Sequence, residues 1–440
     1  MGLWWITPAP GLVLTAGLST VGSVQKHRPG VSLTRAVFLL PAGLAMLAGA
    51  DAALLLVGVG APVTAARLGD LHGMLMVAGF LGTLIAMERA VALRHPLAFV
   101  APGLLGLGAI ALLTPAPLAL GQLLLVDGCI ALVAVYGALW RRNHDDVVLV
   151  ELLGAVHLTL AAALWLRLDV PWLMPWLVGF IVLTICAERV ELARLAMPAS
   201  GGRTLVVHAA ALTVTLILTL VAPDAGARAT GLVLASIVIW LVRHDVARRT
   251  VRTSGLPRFS AAALLGGYAW LLLAAVTWVV TGAQTEGFAY DAVVHAVMLG
   301  FGMSMVMAHA PIILPAVLKR PLPYRSIMWL PLALMHVGLT TRIVAGDFGG
   351  LRTLWQIGSV TNVVALLLFF VVAAGSSIAG PVRRPSRRPS TNRAATTPGT
   401  IPTETRTTPT ETRTTPPETR TSTALSETVT TAPTGIRSPS

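Results

Sequence analysis

Apolar runs of about 20 residues, the length that crosses a bilayer core, follow one another along most of this chain with short polar breaks between them. They fall near 36–60, 70–93, 97–115, 117–140, 147–166, 172–195, 203–222, 226–243, 260–281, 290–317, 325–345 and 353–379. The pattern predicts an all-α polytopic membrane protein with twelve transmembrane helices, whose first partner is the lipid bilayer. Composition agrees: 55% of the side chains are apolar and 12% charged, and the mean hydropathy of +0.77 lies far outside the soluble range.

The formal charge of +13 does not point to nucleic acid, because the basic residues are spread among loops. Lys26, Arg94, Arg141, Arg142, Arg203, Arg248, Arg249, Lys319 and Arg320 fall on one side of the predicted membrane, whereas the other side holds Arg67, Arg167, Arg228 and Arg352. The positive-inside rule then predicts a multi-pass protein of the cell membrane with both termini cytoplasmic. That bias also requires an even number of spans.

The ends of the chain read differently from its middle. Residues 1–35 are expected to form a cytoplasmic or interfacial N-terminal segment, since the moderately apolar stretch 3–24 contains Pro8 and Pro10 and no cleavage site. From Pro381 the composition changes to Thr, Pro, Arg, Ser and Glu, with a short repeat at Glu404–Pro409 and Glu411–Pro416. Residues 381–440 are therefore expected to be a disordered cytoplasmic tail, leaving 36–380 as the twelve-helix domain. Cys129 and Cys186 both lie in apolar runs, where a free cysteine acts as a small hydrophobe.

An internal similarity divides the membrane domain. Gly79-Phe80 precedes Glu88-Arg89 by nine residues in the second span, and Gly179-Phe180 precedes Glu188-Arg189 by nine in the sixth. In the tenth, Gly300-Phe301 precedes His309 by the same interval. Three pseudo-equivalent four-helix units follow. The register has a conflict: aligning Gly-Phe sets His72 seven residues before its glycine and His295 only five, while aligning the histidines matches Gly79 to Gly302.

His72 and His295 are the leading candidates for chemistry. Each opens a long apolar stretch near the same edge of the predicted membrane, and neutral imidazole offers a metal its lone pair without the cost of a buried charge. Gly73, Gly79 and Gly302 are expected to give a flat cofactor room beside them, and Arg342 to meet its acidic groups. His157, His309 and His336 lie mid-span and are candidates for a second metal, copper being suited to imidazole. For each histidine the alternative is a hydrogen bond to a neighbouring helix. The Glu-Arg pairs are expected to pair with one another near the helix ends. Pro311 and Pro315 predict a break in the tenth span, which supports a rival reading as a proton-coupled secondary transporter.

His72-Gly73-Met74-Leu75-Met76-Val77-Ala78-Gly79-Phe80 and His295-Ala296-Val297-Met298-Leu299-Gly300 resemble two motifs of the NnrS family, within the broader subunit I-like architecture of the haem-copper oxidases. The resemblance covers about 36–380 in architecture and these two segments in sequence. It implies a haem b held between the second and tenth helices by His72 and His295, a role in electron transfer or in nitric oxide or denitrification metabolism, and a redox partner. Residue 74 is methionine, so the paired histidines of the NnrS second helix are missing, and the sixth span has no histidine and the seventh has His208 alone. The oxidase copper site is therefore absent as such, and no catalytic residue is assigned.

Overall fold

Twelve apolar stretches coil because lipid offers no partner for a free backbone N–H or C=O, and a helix pairs each of them internally. In the computed structural model, which describes residues 33–65, 67–194 and 196–380, they become α1 Val37–Val57, α2 Leu68–Leu93, α3 Pro96–Leu113, α4 Leu118–Asn143, α5 Asp146–Leu164 and α6 Val170–Leu192. The second half continues as α7 Gly201–Val221, α8 Pro223–His244, α9 Gly255–Thr281, α10 Gly287–Pro315, α11 Ser326–Phe348 and α12 Arg352–Ala379. Each is long and apolar enough to cross a membrane. The chain is an all-α polytopic membrane protein, with no strand among the described residues. The expected N-terminal segment and disordered tail lie outside the described residues.

Consecutive spans pack side by side, and α2, α6 and α10 also touch one another pairwise. These three are the most buried of the twelve, at 72%, 78% and 61% of an 18-residue apolar stretch of each against 56% or less for the rest. They form the centre of the bundle.

The repeat read from the sequence has a structural counterpart here. Counting from the glycine of each Gly-Phe, the residues at +2, +5, +6 and +9 are Leu81, Leu84, Ile85 and Glu88 on α2, Ile181, Thr184, Ile185 and Glu188 on α6, and Gly302, Met305, Val306 and His309 on α10. All twelve line a single cavity. The glycines do equivalent work: a Cβ on Gly79 would lie 3.1 Å from Ala45 of α1 and Ala109 of α3, one on Gly179 would lie 2.7 Å from His157 of α5 and Leu216 of α7, and one on Gly300 would lie 2.4 Å from Trp270 of α9. Each leaves room for a side chain of the preceding helix.

Two of the central helices are not wound uniformly. Leu75–Gly82 of α2 and Ala296–Met303 of α10 are π-helical, and in both the Gly-Phe pair occupies the fifth and sixth positions. The Gly-Phe register is therefore the one the backbone follows. Thr340–Phe348 of α11 is also π-wound, whereas α6 is α-helical throughout. The break expected at Pro311 and Pro315 is not there: Ser304–Leu318 remains helical across both prolines, and the change of winding in α10 comes directly after His295.

Candidate functional site

The two leading histidines stand where α-winding gives way to π-winding, three residues before the π segment of α2 and one before that of α10. Both line a cavity of about 80 Å³ together with Gly73, Met76, Met298, Arg342 and Asn362. The Nδ1–H of His72 donates to the carbonyl oxygen of Gly49 on α1 at 2.8 Å, and that of His295 donates to the carbonyl of Asp291, one turn earlier, at 2.9 Å. A carbonyl only accepts, so each proton sits on Nδ1 and each lone pair on Nε2. Neither Nε2 has a hydrogen-bond partner among the described residues. An imidazole anchored through Nδ1 with Nε2 free is the arrangement that orients a metal ligand.

Around His295 the anchoring continues outward. Asp291 Oδ1 is 3.2 Å from His295 Nδ1, and the same carboxylate accepts two hydrogen bonds from Arg342, Nε at 2.8 Å and NH2 at 2.7 Å, and a third from Trp355 Nε1 at 3.1 Å. Arg342 also donates to Ser359 Oγ at 2.7 Å and lies 5.2 Å from the Trp355 ring. One carboxylate thus ties α10 to α11 and α12. A bidentate charge-assisted pair of this kind fixes geometry as well as adding energy.

This rearranges several sequence expectations. Arg342 lines the cavity, but its charge is already matched by Asp291, so it acts on His295 through that carboxylate and is not a spare cation for an acidic ligand. Gly73 is on the cavity wall and also lets α6 approach, since a Cβ there would meet Val170 at 2.9 Å. Gly79 and Gly302 are not beside the histidines; Gly79 packs on α1 and α3, and Gly302 lines the other cavity. The reason is the winding. A π turn inserts an extra residue, which rotates all that follows by about 100° relative to an α-helix.

The second-metal set does not assemble. His157 contacts Thr213 on α7 at 3.1 Å, His336 accepts from Trp270 Nε1 on α9 at 2.8 Å, and His309 lies beside Arg189 at 3.3 Å. Each occupies a different helix interface, and no group of three or more His, Cys, Asp or Glu poised to hold a metal occurs among the described residues.

Sequence reasoning passed over Met76, Met298 and Asn362. Asn362 is 3% exposed, and neither its Oδ1 nor its Nδ2 has a partner, an arrangement that costs free energy unless a ligand or water supplies one. Its signal was present: Trp355, Ser359 and Asn362 recur at spacings of four and three residues, which places them on one face of α12.

The larger cavity, about 470 Å³, lies at the opposite ends of α2, α6 and α10 and is mostly apolar. The expected Glu-Arg pairing is realised between helices. Arg89 lies 2.8 Å from Glu88, 3.2 Å from Glu151, 3.6 Å from Glu188 and 3.9 Å from Glu191. Arg189 pairs with Asp245 at 2.8 Å and donates to His309 Nε2 at 3.3 Å. Each arginine thus reaches the +9 residue of the next unit, Arg89 to Glu188 and Arg189 to His309. In α10 the equivalent position is Ala310, so that unit sends no cation on to Glu88.

No curated protein matches the chain. Residues 35–378, most of the chain and nearly all of the bundle, match the family described as Domain of unknown function (DUF8744). The chain belongs to that family.

Proposed function

We propose that this is a membrane metalloprotein whose redox metal is held by Nε2 of His72 and Nε2 of His295, as the iron of a haem b, between α2 and α10. The observation that carries the reading is the pair of imidazoles on one cavity, each anchored through Nδ1 and each with its Nε2 lone pair unused. The orphaned amide of Asn362 on the same wall supports a ligand with polar groups. The likeness to NnrS-type histidine motifs supports haem and a role in electron transfer or nitric oxide metabolism. Such a haem would supply one-electron chemistry, and its being held by both His72 and His295 would favour electron transfer over gas binding. The distribution of arginine supports a cell-membrane orientation with both termini cytoplasmic and the histidine pair toward the opposite face.

The fit has one tension. Pockets for cofactor-sized ligands run from about 300 to 1,000 Å³, and the space between the histidines is about 80 Å³. A porphyrin requires Met76 and Met298, both unbranched and flexible, to swing aside. The same two thioethers favour a second reading, a single copper ion held by the two imidazoles and one or both methionines, since soft sulfur with imidazole selects copper.

The experiment is the visible absorption spectrum and metal content of the purified full chain produced with ample haem and copper, wild type and with His72→Ala or His295→Ala. A haem spectrum altered by either substitution supports the first reading. A colourless protein with about one copper, lost in both variants, supports the second. Neither metal in the wild type, or spectrum and content unchanged by both substitutions, overturns the assignment.

A further inference from the structure

The 470 Å³ cavity is distinct from the one between the histidine pair, and its polar end at His309 lies 14 residues and roughly 20 Å further along α10 than His295. Its polar end is built from Glu88, Glu188 and His309. His309 is 3% exposed. Because Arg189 donates to its Nε2, the lone pair is there and the proton is on Nδ1. That Nδ1–H has no hydrogen-bond partner among the described residues, and Glu188 Oε2 stands 3.9 Å away. Glu188, 8% exposed, accepts no hydrogen bond among the described residues and has the approaches of Arg89 at 3.6 Å and His309 at 3.9 Å alone. Two buried polar side chains therefore face an apolar space with bonding capacity unspent.

Charge decides what fills it. Leaving aside the half-exposed Glu191, Glu88, Glu151, Glu188 and Asp245 surround Arg89 and Arg189, and Arg320 on the cavity wall brings the cations to three against four carboxylates. Uncompensated carboxylates within a membrane domain are costly. The repeat shows where a further cation belongs: two units project an arginine toward the next unit, and the third has Ala310, which lines the cavity, in that place.

We infer that this cavity is a binding site for a singly charged organic ammonium with an apolar body, its nitrogen held by Glu88 and Glu188 where the third arginine of the repeat is missing. The apolar body lies along Leu84, Ile181 and Met305.

The test uses the full chain in a neutral detergent, with decylamine, decanol and decanoate as probes and the melting midpoint as readout, since a ligand of the folded state raises it by mass action. Decylamine is expected to raise the midpoint in a saturable way, decanol by less than half as much, and decanoate not at all. Glu88→Gln and Glu188→Gln are expected to weaken decylamine by about tenfold or more, the loss of one charge-assisted hydrogen bond. Ala310→Arg, which supplies the missing cation, is expected to abolish the decylamine shift. Equal shifts from amine and alcohol in the wild type would mean simple filling by an alkyl chain and overturn the proposal whether or not a variant folds. Undiminished decylamine affinity in both glutamine variants would overturn it as well.

Discussion

Arg342 grips Asp291 through two parallel hydrogen bonds of 2.8 and 2.7 Å, and that carboxylate stands 3.2 Å from His295 Nδ1. Arg342 is 5% exposed, so its charge depends on the carboxylate for compensation.

Removing the carboxylate should therefore cost twice. Asp291→Asn is expected to destabilise the protein by about 3 kcal/mol, the low end for breaking a buried pair because Asp291 is partly exposed. It should also lower metal affinity by about 10- to 100-fold, the usual effect of losing a histidine's supporting group. Thermal melting and a metal titration check the two parts. Unchanged metal affinity alongside lost stability would make the Asp291 contact purely structural.

Met76 and Met298 separate the two metal readings. If copper is bound through sulfur, Met76→Leu with Met298→Leu should lower copper occupancy by tenfold or more at limiting metal, because the soft ligands are gone. If haem is bound, the same swap leaves both imidazoles in place, so the haem that is taken up should keep the wild-type spectrum, with lower occupancy because branched leucines swing aside less freely than methionines. Metal analysis and the spectrum of one preparation give the answer.

Gly300 and Gly375 should respond oppositely to alanine. A Cβ on Gly300 would sit 2.4 Å from the Trp270 side chain, so Gly300→Ala is expected to cost at least about 1–3 kcal/mol through overpacking. Gly375, in α12, has nothing within 4 Å of that position, and Gly375→Ala should be neutral or stabilising by up to about 1 kcal/mol through helix propensity. Melting of both variants beside the wild type tests the contrast.

Arg89 stands among four carboxylates, and its removal should be felt far more than removal of the outermost one. Arg89→Met is expected to destabilise by about 3–5 kcal/mol, leaving Glu151, which is fully buried, without its cation. Glu191→Gln, at a half-exposed side chain 3.9 Å away, should cost less than about 1 kcal/mol. Similar losses from both would mean that the cluster is solvated.

Much of this architecture was legible in the chain. The length and apolarity of the runs predict twelve helices because lipid leaves the backbone no other way to satisfy its polar groups, and each predicted run overlaps one observed span. The nine-residue interval from Gly-Phe to Glu, Glu and His also had its meaning in the sequence, since equal spacing on three equivalent helices sets equivalent side chains at one depth.

What the sequence could not decide is which faces meet. Periodicity assigned Gly79 and Gly302 to the faces of His72 and His295 because it assumed uniform α-winding, and the π segments after both histidines turn those glycines elsewhere. It assigned Arg342 to a ligand because Asp291, 51 residues away, was not visible as its partner. His157, His309 and His336 were alike as mid-span imidazoles, and only the packing of α5, α10 and α11 against different neighbours separates them. Hydropathy is a property of each segment and is read one segment at a time. Winding register and the pairing of distant charges depend on what a helix packs against, and they exist only once the bundle has formed.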